Sequence, residues 1–79
     1  TEGKMLQKIK ETISVLSGIA VSSIDEDTVL AELEIDSLTM LKIIMELENV
    51  YGVHFEDEEI VEIRTVSDIE EKISEKLSQ

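Results

Sequence analysis

The chain has no cysteine, which removes disulfide staples, thiolate metal sites and cysteine nucleophiles together. Its aromatics are one tyrosine, Tyr51, and one phenylalanine, Phe55, so any core it builds is aliphatic. Basic residues are scarce: seven Lys and Arg stand against nineteen Asp and Glu, for a net charge of −12. Phosphate backbones and anionic lipid surfaces need clustered Lys and Arg, so neither nucleic acid nor a membrane is an expected partner. No apolar run approaches the roughly 18 residues of a membrane-crossing helix, and no signal-peptide pattern is visible. The cytoplasm is the expected compartment.

What remains is a chain of 79 residues, read on length as a single domain over 1–79 and expected to be a monomer. Beginning at Thr1, it reads as processed or cut from a longer chain; its single-domain length leans towards a freestanding protein. Its apolar content is 42% and its mean hydropathy +0.01, too apolar for a disordered acidic tail. The charge is unevenly spread. Residues 31–62 hold ten acids and one base, Lys42, for a net −9, and both flanks are nearly balanced. Such a concentration is a solvated face, a field that steers basic partners, or both.

The apolar pattern is helical throughout. Met5, Ile9, Ile13 and Leu16 recur at helical spacing, with Leu6 beside them, and Gly18 follows as a stop. Residues 18–35 show no clean period; a loop this long needs a reason, and its apolar residues imply that it is pinned across the core, with a short turn near Thr28–Leu33. Asp36 is an N-cap for the strongest helical segment, Leu38 to Tyr51, which Gly52 ends. Residues 56–63 make a short acidic turn of helix at best. Thr65 caps a last helix with Val66, Ile69, Ile73 and Leu77 inward and Glu70, Glu71, Lys72, Glu75 and Lys76 facing water. No stretch alternates as a strand does. The expected fold is all-α: a small four-helix bundle of three main helices and one short one, with a long first loop.

The helix after Ser37 carries two apolar stripes. Met40, Ile43, Ile44, Leu47 and Tyr51 form one; Leu38, Leu41 and Met45 project to another side. Either the bundle surrounds this helix and buries both, or the second stripe stays exposed and docks partners, flanked by Glu46 and Glu48. Methionine suits an adaptable surface.

Catalytic machinery is not expected. The only histidine, His54, follows Ser37 by 17 residues, about 25 Å of helical rise, too far for a Ser-His-Asp arrangement; it reads as a surface or loop residue. The acidic runs Asp25–Asp27 and Glu56–Glu59 lack the alternating ligands and central glycine of a calcium loop, so no dedicated metal site is expected. Ser37 itself, at the start of a helix, is ordinarily a capping-region serine. The same position presents unsatisfied N–H groups and suits an anion.

The segment Leu33-Glu34-Ile35-Asp36-Ser37-Leu38-Thr39-Met40 resembles the D-S-L signature of acyl carrier proteins. The helix through Leu41–Glu48 resembles that family's recognition helix, Val53–Glu59 its acidic approach to the third helix, and Thr65–Ile69 its entry to the last, so the resemblance spans essentially the whole chain. It implies 4′-phosphopantetheine, derived from coenzyme A, on Ser37, attached by a phosphopantetheinyl transferase, with Asp36 and Leu38 beside the attachment point. It implies a carrier of thioester-linked acyl groups for fatty-acid, polyketide or related biosynthesis, not an enzyme. Leu41, Met45, Glu46, Glu48, Glu58, Glu59 and Glu62 would form the docking face for acyl-transfer, ketosynthase or acyl-activating enzymes with basic patches; in some relatives a cavity between helices shelters the growing acyl chain. Three residues depart from the family pattern: Glu34 where Gly is frequent, Lys42 where an acid is frequent, and Glu56 where Pro is common. Lys42 points towards a specialised pathway. The alternative is a small acidic helical interaction module without a prosthetic group.

Overall fold

The computed structural model describes residues 2–78; Thr1 and Gln79, the two ends of the expected 1–79 domain, lie outside the described residues. Four α-helices follow in order: α1 (Glu2–Ser17), α2 (Ser37–Tyr51), α3 (Asp57–Glu62) and α4 (Val66–Leu77). Between α1 and α2 run two single 3₁₀ turns, Val21–Ser23 and Leu30–Leu33. Among the described residues there is no strand, only an isolated antiparallel bridge between Val29 and Thr65.

Local chemistry sets the ends of these helices. Gly18 and Gly52 both take positive φ, +82° and +65°, the left-handed stop that costs glycine nothing. Thr65 accepts from Asp68 N through its hydroxyl while the Asp68 carboxylate accepts the N–H groups of Arg64 and Thr65, at 2.9 and 3.0 Å. This reciprocal cap satisfies donors that the start of a helix leaves orphaned. It also holds the Asp68 carboxyl below its ordinary value, chiefly through the Arg64 N–H and then that of Thr65.

The core is aliphatic plus Phe55. Ile9 and Ile13 of α1, Ile43, Ile44 and Leu47 of α2, and Val66, Ile69 and Ile73 of α4 are buried together with Ile24, Leu30 and Phe55 from the connections. Burying each such side chain stabilises by roughly 1.5–3 kcal/mol before conformational entropy is set against it. Helix α1 packs on both α2 and α4.

The long first connection is pinned, as its apolar residues imply. Ile24 and Leu30 plug it into the core. Its backbone then runs beside the α3–α4 connection: Leu30 N donates to Arg64 O at 2.9 Å, Val66 N to Thr28 O at 3.2 Å, and Ser67 N to Glu26 O at 2.9 Å. Asp25 and Thr28 close the preceding turn, Asp25 Oδ1 accepting from Asp27 N at 2.9 Å and Thr28 Oγ1 from Asp25 N at 2.8 Å.

Three expectations change. Leu77 is 52% exposed rather than inward: Ser74 already meets Met5, close to the start of α1, and the turn beyond has little helix left to pack on. Leu16, at 39% exposed, is not buried either. Lys72 and Lys76 do not simply face water; each is mostly covered and ion-paired to α3.

Candidate functional site

Ser37 is the first residue of α2, and the cap that starts the helix is the one its neighbour supplies. Asp36, in extended conformation, accepts Thr39 N on Oδ1 at 2.7 Å, and its carbonyl accepts Met40 N at 2.9 Å. The Thr39 N–H holds the Asp36 carboxyl below its ordinary value, helped by the Thr39 hydroxyl and more weakly by Lys42. Asp36 is therefore an anion committed to the helix start. Ser37 is exposed, and its hydroxyl has no hydrogen-bond partner among the described residues. The chain reaches this point through Glu34, a non-glycine residue at φ +57°, whose N–H donates to Ala31 O at 3.3 Å. The position where the family frequently has Gly is thus a left-handed one, and here Glu adopts it at a steric cost.

Beside Ser37 lies an apolar groove of about 420 Å³. Leu30, Ala31 and Ile35 of the first connection form one side, Met40, Leu41 and Ile44 of α2 another, and Ile60 of α3 a third, with Ser37 at the edge. Leu30, Met40, Ile44 and Ile60 also line a smaller void of about 70 Å³ that reaches Ile63. This explains why Met40, on the inward stripe of α2, is only half-buried, as is Ile60. An exposed, unpartnered hydroxyl at a helix start, next to an apolar groove, fits a phosphopantetheine attachment: the anion meets the helix N-terminus and an attached chain has apolar cover nearby. Ile35, Ile60 and Ile63 were not among the residues singled out by sequence; their only signal was an apolar side chain in segments without a clear period.

The second stripe of α2 is open to solvent. Leu38 is 63% exposed, Leu41 47% and Met45 57%, so the bundle does not surround this helix. Glu46 and Glu58 are exposed as well. The remaining acids expected on this face are bonded to other groups of the chain, Glu62 from an exposed position. Glu48 Oε2 accepts Phe55 N at 2.8 Å. Glu59 Oε1 accepts Glu56 N and Lys76 Nζ, both at 2.8 Å, and Lys76 pulls its carboxyl below the ordinary value. Glu62 accepts Lys72 Nζ at 2.9 Å, which raises the Lys72 ammonium above its usual value. Lys42 stands on α2 beside Met45, in a shallow groove that runs to Leu16 of α1.

His54 is exposed and lies between two carboxylates, Nδ1 3.2 Å from Glu48 and Nε2 3.5 Å from Glu56. Both its nitrogens face acids at the far end of α2 from Ser37, so the arrangement offers no serine–histidine pair. Among the described residues no group of His, Asp and Glu converges as a metal site, and no helix is long and apolar enough to cross a membrane.

Comparison with known proteins agrees with this geometry. Residues 7–73 match the family described as the phosphopantetheine attachment site. The meromycolate extension acyl carrier protein of Mycobacterium leprae is 37% identical over 70 residues, covering 87% of this chain and 61% of that protein. The acyl carrier protein of Petrotoga mobilis is 34% identical over 84 aligned positions, covering 99% of this chain and 93% of that one. The acyl carrier protein homolog of Mycoplasma genitalium is 40% identical over 50 residues, 60% of each chain. The chain therefore spans about 61% of the length of the mycobacterial relative and nearly all of the Petrotoga one. With a match running from within α1 to within α4, the chain belongs to the acyl carrier proteins, a family of carriers rather than catalysts whose phosphopantetheine attachment domain bears a covalent 4′-phosphopantetheine group.

Proposed function

We propose that Ser37 is the attachment residue and that the protein shuttles acyl intermediates between biosynthetic enzymes. The observation that carries this is the Ser37 hydroxyl, exposed and free of partners among the described residues, at the first position of α2 and at the edge of the apolar groove. Loading forms a bond from Ser37 Oγ to the phosphorus of coenzyme A that bears the pantetheine. The pyrophosphate P–O bond breaks, and the nucleotide bisphosphate leaves with the electron pair. Asp36 is occupied by Thr39 and held ionised, so the base that takes the serine proton belongs to the transferase. When bound, the arm supplies the thiol that this cysteine-free chain lacks, and the acyl group rides on it as a thioester.

The chain's own residues hold the attachment point and the surroundings. Asp36 fixes the helix start, and Leu38, Leu41 and Met45 offer an apolar ridge beside it. Glu46 and Glu58 supply exposed negative charge towards basic patches on the transferase and on acyl-transfer, ketosynthase or acyl-activating enzymes. Loading from coenzyme A is in keeping with a cytoplasmic location. The cargo belongs to fatty-acid-type or polyketide-type chain building: the names of the mycobacterial relatives favour chain extension, and Lys42, a cation within the docking ridge, favours a dedicated set of enzymes.

The test is direct. Incubation with coenzyme A and a broad-specificity phosphopantetheinyl transferase adds the mass of one arm to the wild-type protein and none to Ser37→Ala. Equal loading of Ser37→Ala removes the assignment, and no loading of either protein returns the chain to an interaction module without prosthetic group.

A further inference from the structure

Helix α3 is the least anchored of the four. It is six residues long, contributes no fully buried side chain, and carries Asp57, Glu58, Glu59 and Glu62 with no base of its own. It stands in the most acidic part of the chain, where repulsion pushes it outward. Yet its Ile60 forms one wall of the groove beside Ser37, and Ile60 and Ile63 close the inner void.

Two of the seven basic residues of the chain oppose that repulsion from one helix. Lys72 and Lys76 stand one turn apart on α4, on the same face. Lys72 Nζ lies 2.9 Å from Glu62 and Lys76 Nζ 2.8 Å from Glu59. The two pairs differ in exposure. The Lys76 and Glu59 side chains are both mostly covered, whereas Glu62 is 68% exposed. Lys76 also lies over the ring of buried Phe55, 5.6 Å from its centroid, which fixes its stem and aims its charge. The inner pair is thus a fixed point and the outer pair a weaker, salt-sensitive one.

We propose that Lys72 and Lys76 latch α3 over the inner end of the groove and so set how long an acyl chain the protein shelters. This rests on the reading of Ser37 as the arm-bearing residue and of the groove as the place of the chain. The outer groove is open at about 420 Å³, but the void behind it is only about 70 Å³. A chain that outgrows the first part advances only if Ile60 and Ile63, and α3 with them, move away from α2. That movement stretches both ion pairs. Lys72 and Lys76 are positioning residues: they act on the cargo through α3.

The experiment loads the full chain at Ser37 with butanoyl, octanoyl or dodecanoyl arms and follows thioester cleavage by hydroxylamine, with hydrogen exchange of the α3 amides alongside. In wild type, octanoyl is more protected than butanoyl and dodecanoyl gains little more. In the double variant Lys72→Met/Lys76→Met, α3 exchange rises about three- to tenfold, the range expected for losing two such pairs, and dodecanoyl becomes the best protected. Lys76→Arg keeps the wild-type order. Glu62→Gln, which leaves both lysines in place, moves the order the same way by a smaller step and stands in for the double variant should that one fail to fold. Protection by octanoyl that is unchanged in order in every variant overturns the latch and leaves the carrier reading intact. No protection for any chain length overturns the groove reading, and the role of the latch with it.

Discussion

Glu48 Oε2 accepts the backbone N–H of Phe55 at 2.8 Å, seven residues further along the chain. The bond closes the turn after α2 and seats Phe55, which is 2% exposed, in the core. A buried backbone donor with a charged acceptor stabilises more than a neutral pair, and removing the acceptor leaves the donor orphaned. Glu48→Ala therefore costs about 1.5–3 kcal/mol in urea unfolding, and Glu48→Gln, which keeps an acceptor, costs less. A loss under about 0.5 kcal/mol would return Glu48 to the docking face as a surface acid.

Glu34 holds a left-handed backbone at φ +57°. A side chain there costs about 1–2 kcal/mol, and glycine gives back part of that gain by its freedom in the unfolded chain. Glu34→Gly is expected to raise the melting temperature by about 2–8 °C, while Glu34→Gln, which removes the charge and keeps the strain, moves it far less. An equal rise in both variants would assign the effect to charge.

The Asp68 carboxyl is held below its ordinary value of 3.8 by the N–H groups of Arg64 and Thr65. A carboxyl whose folded pKa is lowered contributes stability that is full above its unfolded value and lost as pH falls through its folded one. Asp68→Ala is expected to cost about 1 kcal/mol at neutral pH. The gap to wild type holds down to about pH 5 and closes below pH 3.8. Denaturant midpoints for both proteins across this range read the gap; one that persists unchanged at pH 2.5 or so would mean the cap acts without its charge.

The parts of this protein that were legible in its sequence are those whose cause is local. Asp36 and Thr65 cap helices with bonds spanning three residues, and the stripes of α2 follow from spacing alone, although only the fold could show that Leu38, Leu41 and Met45 stay outside. Distance along the chain is what hid the rest. The pairs Lys72–Glu62 and Lys76–Glu59 span ten and seventeen residues, so both lysines look like solvated charges on a heptad wheel. Ile35, Ile60 and Ile63 come from two segments too short or irregular to show a period, and they wall a groove and its inner void only once Leu30 is pinned to Arg64. Leu77 fits the inward stripe of α4 in spacing and fails only because its packing partner ends first.

Residues 31–62 carry a net −9, and few of those charges have a cation nearby. Repulsion between unpaired acids extends over a Debye length, about 30 Å at 0.01 M ionic strength and 8 Å at 0.15 M. Added salt is therefore expected to raise the melting temperature over this range, because the longer-range repulsion is screened before the two contact pairs on α3. Scanning calorimetry at several sodium chloride concentrations tests this. A melting temperature that stays flat or falls would mean the ion pairs outweigh the field.

The open stripe of α2 separates docking from folding. Leu41 and Met45 are 47% and 57% exposed, and truncating them removes little from the core. Leu41→Ala and Met45→Ala are expected to stay within about 0.5 kcal/mol of wild-type stability. As apolar anchors at the centre of an interface, they should nonetheless lower kcat/KM for transferase loading by about five- to thirtyfold. Lys42 lies within the same ridge and carries the opposite sign to the field around it, so Lys42→Glu should raise the loading rate by a transferase with a basic patch and steepen its dependence on salt. Rates that track stability across all three variants would make the ridge a structural surface; rates that fall in Leu41→Ala and rise in Lys42→Glu at constant stability place recognition on this face of α2.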